Sequence, residues 1–276
     1  MKKTKIIIPA IGMLLLSTAA SITGTVAWFS MNTTVAATGM TIKAKGDQVF
    51  LQIVDGSGTV ETGTFFDGQN QITASASNAQ TSLAAANVVG GLGTDEDDKQ
   101  TIVDYNRTNV VWVTNHSVNP GSAGPSGDYT EISEVSLPYY ALINTFKIRL
   151  DPLAGDVNAP DPLKVTSVAF GAGTPSDEPM RNAVSVLVES TEGAVTHYQL
   201  FKQNNSGLAA DVVYTGGFLE IAGPGKLTTS EFSDHSVNGT TVKVYVFFDG
   251  DNKSAYTSNI TPNGYTVELT FSVDYY

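Results

Sequence analysis

The chain has 276 residues, with 27 acidic against 15 basic side chains, a net charge of −12 and no cysteine. That balance argues against a nucleic-acid binder, which must bring positive charge to displace the counterions around phosphate. The absence of cysteine removes disulfides, thiolate metal sites and cysteine nucleophiles from consideration, so an exported domain of this length must be held by its own core.

The first element is an export signal. Lys2, Lys3 and Lys5 precede an apolar run from Ile6 to Leu16, and the small residues of Thr25-Val26-Ala27 offer a peptidase site after Ala27, with Ala20 as the rival. Residues 1–27 are therefore expected to be a signal peptide, whose removal takes three lysines and no acid and leaves a still more acidic surface. The alternative is a retained anchor, because the apolar character continues to Phe29 and suffices for a bilayer core of about 30 Å.

Beyond this point alternation dominates. Strands are expected at Met40–Lys45 and Val49–Val54. The alanine-rich stretch 73–91 then predicts one short helix from Asn78 to Val88, followed by a mobile acidic loop at Gly93–Lys99. Further strands are expected at Val110–Thr114, Tyr140–Leu150, Lys164–Phe170, Ala183–Glu189, Ala194–Phe201, Phe218–Ile221 and residues 241–248, rich in β-branched and aromatic side chains. In the last of these Val242, Val244, Val246 and Phe248 oppose Lys243, Tyr245 and Phe247. A final strand places Tyr265, Val267, Leu269, Phe271, Val273 and Tyr275 on one side, after a Pro262-Asn263-Gly264 turn. Connections such as 121–127 and 151–160 are rich in glycine, proline and aspartate and read as surface loops. The expected fold is all-β, a jelly-roll-like antiparallel β-sandwich with long loops and at most one or two short helices, forming a single domain over residues 40–276.

Catalytic patterns are missing from the sequence. His116, His197 and His235 are isolated, with no His-Glu-x-x-His pair, and no Gly-x-Ser-x-Gly elbow occurs in a strand-to-helix setting. Gly90-Gly91-Leu92-Gly93 lacks the preceding strand and following helix of a phosphate loop. No enzyme is expected. One cofactor candidate is calcium, for which Asp249, Asp251 and Asn252 gather hard oxygens into one turn; the blander reading is a hairpin turn. Asp95-Glu96-Asp97-Asp98 is a second acidic cluster. Glycosylation triplets stand at Asn32, Asn106, Asn115, Asn204, Asn238, Asn252 and Asn259, meaningful only in a host with the transferase.

The most informative stretch is Gly24-Thr25-Val26-Ala27-Trp28-Phe29-Ser30, followed after a polar spacer by Ala37-Thr38-Gly39-Met40-Thr41-Ile42-Lys43-Ala44. It resembles the N-terminal region of the TasA/camelysin family, secreted β-rich proteins whose signal peptides are cut by a dedicated peptidase. Ser30-Met31-Asn32 stand where that pattern usually carries an aspartate after the phenylalanine. The resemblance implies a jelly-roll subunit of extracellular or biofilm-matrix fibres, in which the freed N-terminal segment of one subunit pairs with a sheet of the next. Physical chemistry points the same way: Trp28 and Phe29, freed at a terminus, need a partner surface, and an extended segment can find one at a sheet edge.

Residues 28–39 are thus expected to be a donor-strand segment. Its assembly contacts are Trp28, Phe29, Met31 and Val35, with Met40 and Ile42 entering the subunit's own first strand. The expected partner is another copy, with an accessory fibre or anchoring protein as a second; the membrane is involved only through an uncleaved signal segment. Two rivals stand beside this expectation. One is a membrane-anchored or pilin-like surface protein that keeps its hydrophobic helix. The other is a secreted carbohydrate-binding sandwich stacking sugars on Trp112, Tyr139 and Tyr140.

Overall fold

The computed structural model describes residues 40–45, 51–54, 69–74, 83–115, 128–150, 161–171, 179–203, 217–229, 231–234, 239–255 and 266–273. Its strands in chain order are β1 (Met40–Lys45), β2 (Leu51–Val54), β3 (Gln69–Ala74), β4 (Asn87–Val89), β5 (Gly91–Thr94), β6 (Gln100–Val103), β7 (Val111–Thr114) and β8 (Thr130–Glu131). They continue with β9 (Ala141–Leu150), β10 (Lys164–Phe170), β11 (Val184–Glu192), β12 (Val195–Gln203), β13 (Phe218–Ile221), β14 (Thr240–Phe248) and β15 (Val267–Ser272). Among the described residues the helical segments are short 3₁₀ turns at Glu134–Tyr139, Pro179–Ala183 and Lys253–Ala255. The all-β sandwich expected from alternation is what forms, and β10 and β13 carry the bounds read from the sequence.

Two large sheets face one another. One is six-stranded in the order β13-β12-β11-β14-β9-β2, with every neighbour antiparallel. The other is four-stranded, β10-β15-β1-β3. Here one pairing departs from the antiparallel expectation: β1 runs parallel to β15, with Met40 opposite Val267 and Ile42 opposite Leu269. Between the sheets lie Phe146, Phe201, Phe218, Val242, Val244, Leu269 and Phe271, all buried. The rings of Phe146 and Phe271 meet edge to face at 5.7 Å, a favourable arrangement of aromatic quadrupoles.

The six-stranded sheet is covered on its other face as well. Tyr245 and Phe247, expected on the outward side of their strand, are buried with Leu187, Leu200, Tyr140 and Trp112. The cover is a small sheet in the order β4-β7-β8. Trp112 on β7 sets its indole against Phe247 at 4.9 Å and Tyr245 at 5.4 Å. The sandwich therefore gains a third layer, because β14 carries aromatic residues on the face that a two-layer fold would leave to water.

This layer also corrects the helix expected from Asn78 to Val88. Residues 78–82 lie outside the described part. After them Leu83–Ala85 are irregular, Ala86 bridges Asp249 in parallel fashion, and Asn87–Val89 form β4 with all three residues buried. Alanine favours helix by only a few tenths of a kcal/mol per residue, roughly, over most others, and burial against the large sheet outweighs that preference. The glycine run that follows is preceded by a strand after all, and forms β5 itself; β6, not a helix, comes next. Gly90 lies so close to the Asp104 carbonyl that no side chain fits. The acidic loop closes this hairpin as an ordered turn: Asp95 Oδ1 accepts the backbone N–H of Asp97 at 2.9 Å and of Lys99 at 2.8 Å.

Candidate functional site

Of the expected assembly residues, Trp28, Phe29, Met31 and Val35 lie outside the described residues, as does the expected signal peptide. Met40 and Ile42 stand in β1, as expected. That strand is not at an edge: β15 lies on one side and β3 on the other, with Met40 opposite both Val267 and Ala74. Segment 28–39 is therefore joined to the end of a strand whose two hydrogen-bonding sides are taken.

Sheet edges are the surfaces that could receive an added strand. On the six-stranded sheet, the end of β13 is capped by Arg107, from the connection between β6 and β7. Its guanidinium donates to the Ile221 carbonyl at 3.3 Å, the Pro224 carbonyl at 2.7 Å and Glu220 Oε1 at 3.2 Å. The first half of β10 is closed too. Leu163 accepts from the Leu227 amide at 2.7 Å and donates to Thr228 Oγ1 at 3.0 Å, while the Val165 amide donates to Gln199 Oε1 at 2.9 Å. A bulge at Thr166 then shifts the register, and from Ser167 to Phe170 β15 is the one strand that pairs with β10 among the described residues.

Sequence reasoning missed the polar cluster that ties these edges together. Glu220 Oε1, fully buried on β13, accepts from Arg107 Nη2 at 3.2 Å, Gln199 Nε2 at 3.0 Å and the Gly225 amide at 2.7 Å. A buried carboxylate is tolerable only with such partners. Little in the sequence signals it, since Glu220 reads as the polar member of a four-residue strand and its side-chain partners, Arg107 and Gln199, are distant in sequence.

The calcium candidates are brought together in the turn after β14, but their oxygens face protein donors. Asp249 Oδ2 meets Lys202 Nζ at 3.0 Å, and its Oδ1 accepts the Asp251 amide at 3.2 Å. Asp251 Oδ1 accepts from the Tyr129 hydroxyl at 2.7 Å, and Asn252 Oδ1 accepts the Ser254 amide at 2.9 Å. Burial raises the Tyr129 hydroxyl well above its ordinary 10.0, and the Asp251 carboxylate pushes it further. A cation here would have to displace the Lys202 ammonium. Titration with millimolar calcium, read by heat and melting shift, tests the expectation directly.

The sugar-stacking trio does not assemble into a platform. Trp112 and Tyr140 are core residues of the third layer, and Tyr139 alone is exposed, at 47 %. His197 lies on β12 with Nε2 3.7 Å from Glu192 Oε2, while His116 and His235 lie outside the described residues. Of two open clefts, one of about 410 Å³ is lined by Glu192, Asp234 and Thr240, and the other, of about 340 Å³, by Arg107, His197 and Lys226. Comparison of the chain with protein-family models, with curated proteins and with solved structures returned no match.

Proposed function

We propose that the chain is a secreted structural subunit that polymerises head-to-tail, each copy lending residues 28–39 as a donor strand to a sheet edge of the next, in an extracellular or biofilm-matrix fibre. The observation that carries this reading is the attachment of segment 28–39 to β1, a strand already flanked by β15 and β3. Extended, that segment reaches about 40 Å, far past the strand that bears it. The TasA/camelysin-like pattern around Ala27 and the aromatic pair Trp28-Phe29 support the same reading. A contact between two different surfaces repeats without closing, which yields a filament.

Two measurements test it. N-terminal sequencing of the exported protein is expected to begin at Trp28; a start at Met1 or Lys2 would make the protein an anchored or pilin-like surface domain instead. Deleting residues 28–36 from the mature form is expected to leave a folded monomer that forms no filaments under negative stain. Filaments from that truncation would refute donor-strand assembly.

A further inference from the structure

We propose that Lys202 and Asp249 condense into an intramolecular isopeptide bond, a covalent cross-link in a chain without cysteine. The two groups come from different strands. Lys202 stands on β12 opposite Ser185 of β11, which in turn stands opposite Phe247 of β14. The lysine stem crosses over the small Ser185 and brings Nζ to 3.0 Å from Asp249 Oδ2, just past the end of β14. Asp249 is buried, at 4 % exposure, and Lys202 is mostly covered, at 12 %.

Three observations favour reaction over a lasting ion pair. First, two opposite charges held out of water keep much of their desolvation cost, and an amide removes both charges at once. Second, the partners are fixed. Asp249 is pinned by its own amide donating to the Ala183 carbonyl at 2.7 Å, and the next residue by Gly250 N–H to the Ala86 carbonyl at 3.1 Å. Groups held in register behave as though at effective concentrations of about 10⁵–10⁸ M. Third, a backbone donor already stands at the carboxyl. Asn87 is buried, and its Oδ1 and Asp249 Oδ1 each accept the Asp251 amide at 3.2 Å.

The step balances without any co-reactant. The Lys202 ammonium passes one proton to the Asp249 carboxylate along their contact. The neutral amine then attacks Cγ, forming the N–C bond, and the carbonyl oxygen takes up negative charge against the Asp251 N–H, which already donates to Asp249 Oδ1 at 3.2 Å. A second proton moves from nitrogen to the departing hydroxyl, the C–O bond breaks and one water leaves. The product is a neutral secondary amide tying β12 to the end of β14 across β11.

Intact mass measurement of the full-length folded protein, followed by proteolytic mapping, decides the matter. The expected result is a mass one water below the sequence value, and a branched peptide joining the Lys202 and Asp249 segments. The Lys202→Met variant should regain the full mass. An undiminished mass with linear peptides covering both residues would overturn the proposal. So would a water lost equally from Lys202→Met, since that assigns the loss to a succinimide at Asp249-Gly250. If the variant fails to fold, the branched peptide from the wild-type protein, or its absence, is decisive.

Discussion

Glu220 is the residue on which the edge of the six-stranded sheet turns. Its buried carboxylate gathers a guanidinium, a carboxamide and a backbone amide, so removing it takes an acceptor from three donors at once. Glu220→Ala is expected to lower stability by about 3–5 kcal/mol, the range for breaking one side of a buried ion pair, read as a fall in the urea midpoint at unchanged slope. Gly225→Ala tests the same cluster sterically: a Cβ there would meet Glu220 Oε1 at 2.7 Å and Gln199 Cγ at 3.0 Å. None of this was legible in the sequence. Gln199 becomes a neighbour of Glu220 through the pairing of β12 with β13 and Arg107 through the packing of the β6–β7 connection, and a lone glutamate on a short strand looks like any solvated side chain. The Asp249 turn was visible as a cluster of oxygens, but the ammonium of Lys202 facing it was not.

At the scale of elements, strands with strict alternation and turn residues at both ends were read well. Those of β9, β10, β12, β14 and β15 all emerge within a few residues of expectation. Several of the strands that escaped notice have other compositions. Three of the six residues in β3 are glutamine or asparagine, half of β5 is glycine, and β8 is two residues long. Each takes its conformation from its neighbour in the ladder and not from its own propensity. The third layer escaped for a different reason: alternation distinguishes two faces but does not say that both are covered. Its anchor is Trp112, and Trp112→Ala is expected to cost about 3–5 kcal/mol. Loss of the near-ultraviolet circular dichroism of the Trp112, Tyr245 and Phe247 cluster should accompany that fall. If stability is unchanged, the small sheet is an ornament and not a structural layer.

For the whole molecule, the packing of tyrosines sets an alkaline limit. Burial raises the hydroxyls of Tyr105, Tyr129, Tyr140, Tyr198 and Tyr245 above the ordinary value of 10.0, and Tyr245 also donates to the Glu189 carboxylate at 3.0 Å. The unfolded chain ionises its phenols near 10, roughly, whereas the native state keeps these protons longer. Their contribution to stability is therefore complete below that value and is lost as pH climbs from there through the raised native values. Unfolding midpoints in urea should hold to about pH 10 and fall steeply above it, with phenolate absorbance appearing together with unfolding. Smooth phenolate titration in a protein that stays folded would contradict this account of the core. The central position of β1 carries a mechanical consequence as well. A pull on the chain ahead of Met40 acts along the axis of a strand bonded on both sides, so the ladders to β15 and β3 are loaded in shear, many bonds together. A rope made of such subunits would slip at its joints before any strand was drawn from its own sheet.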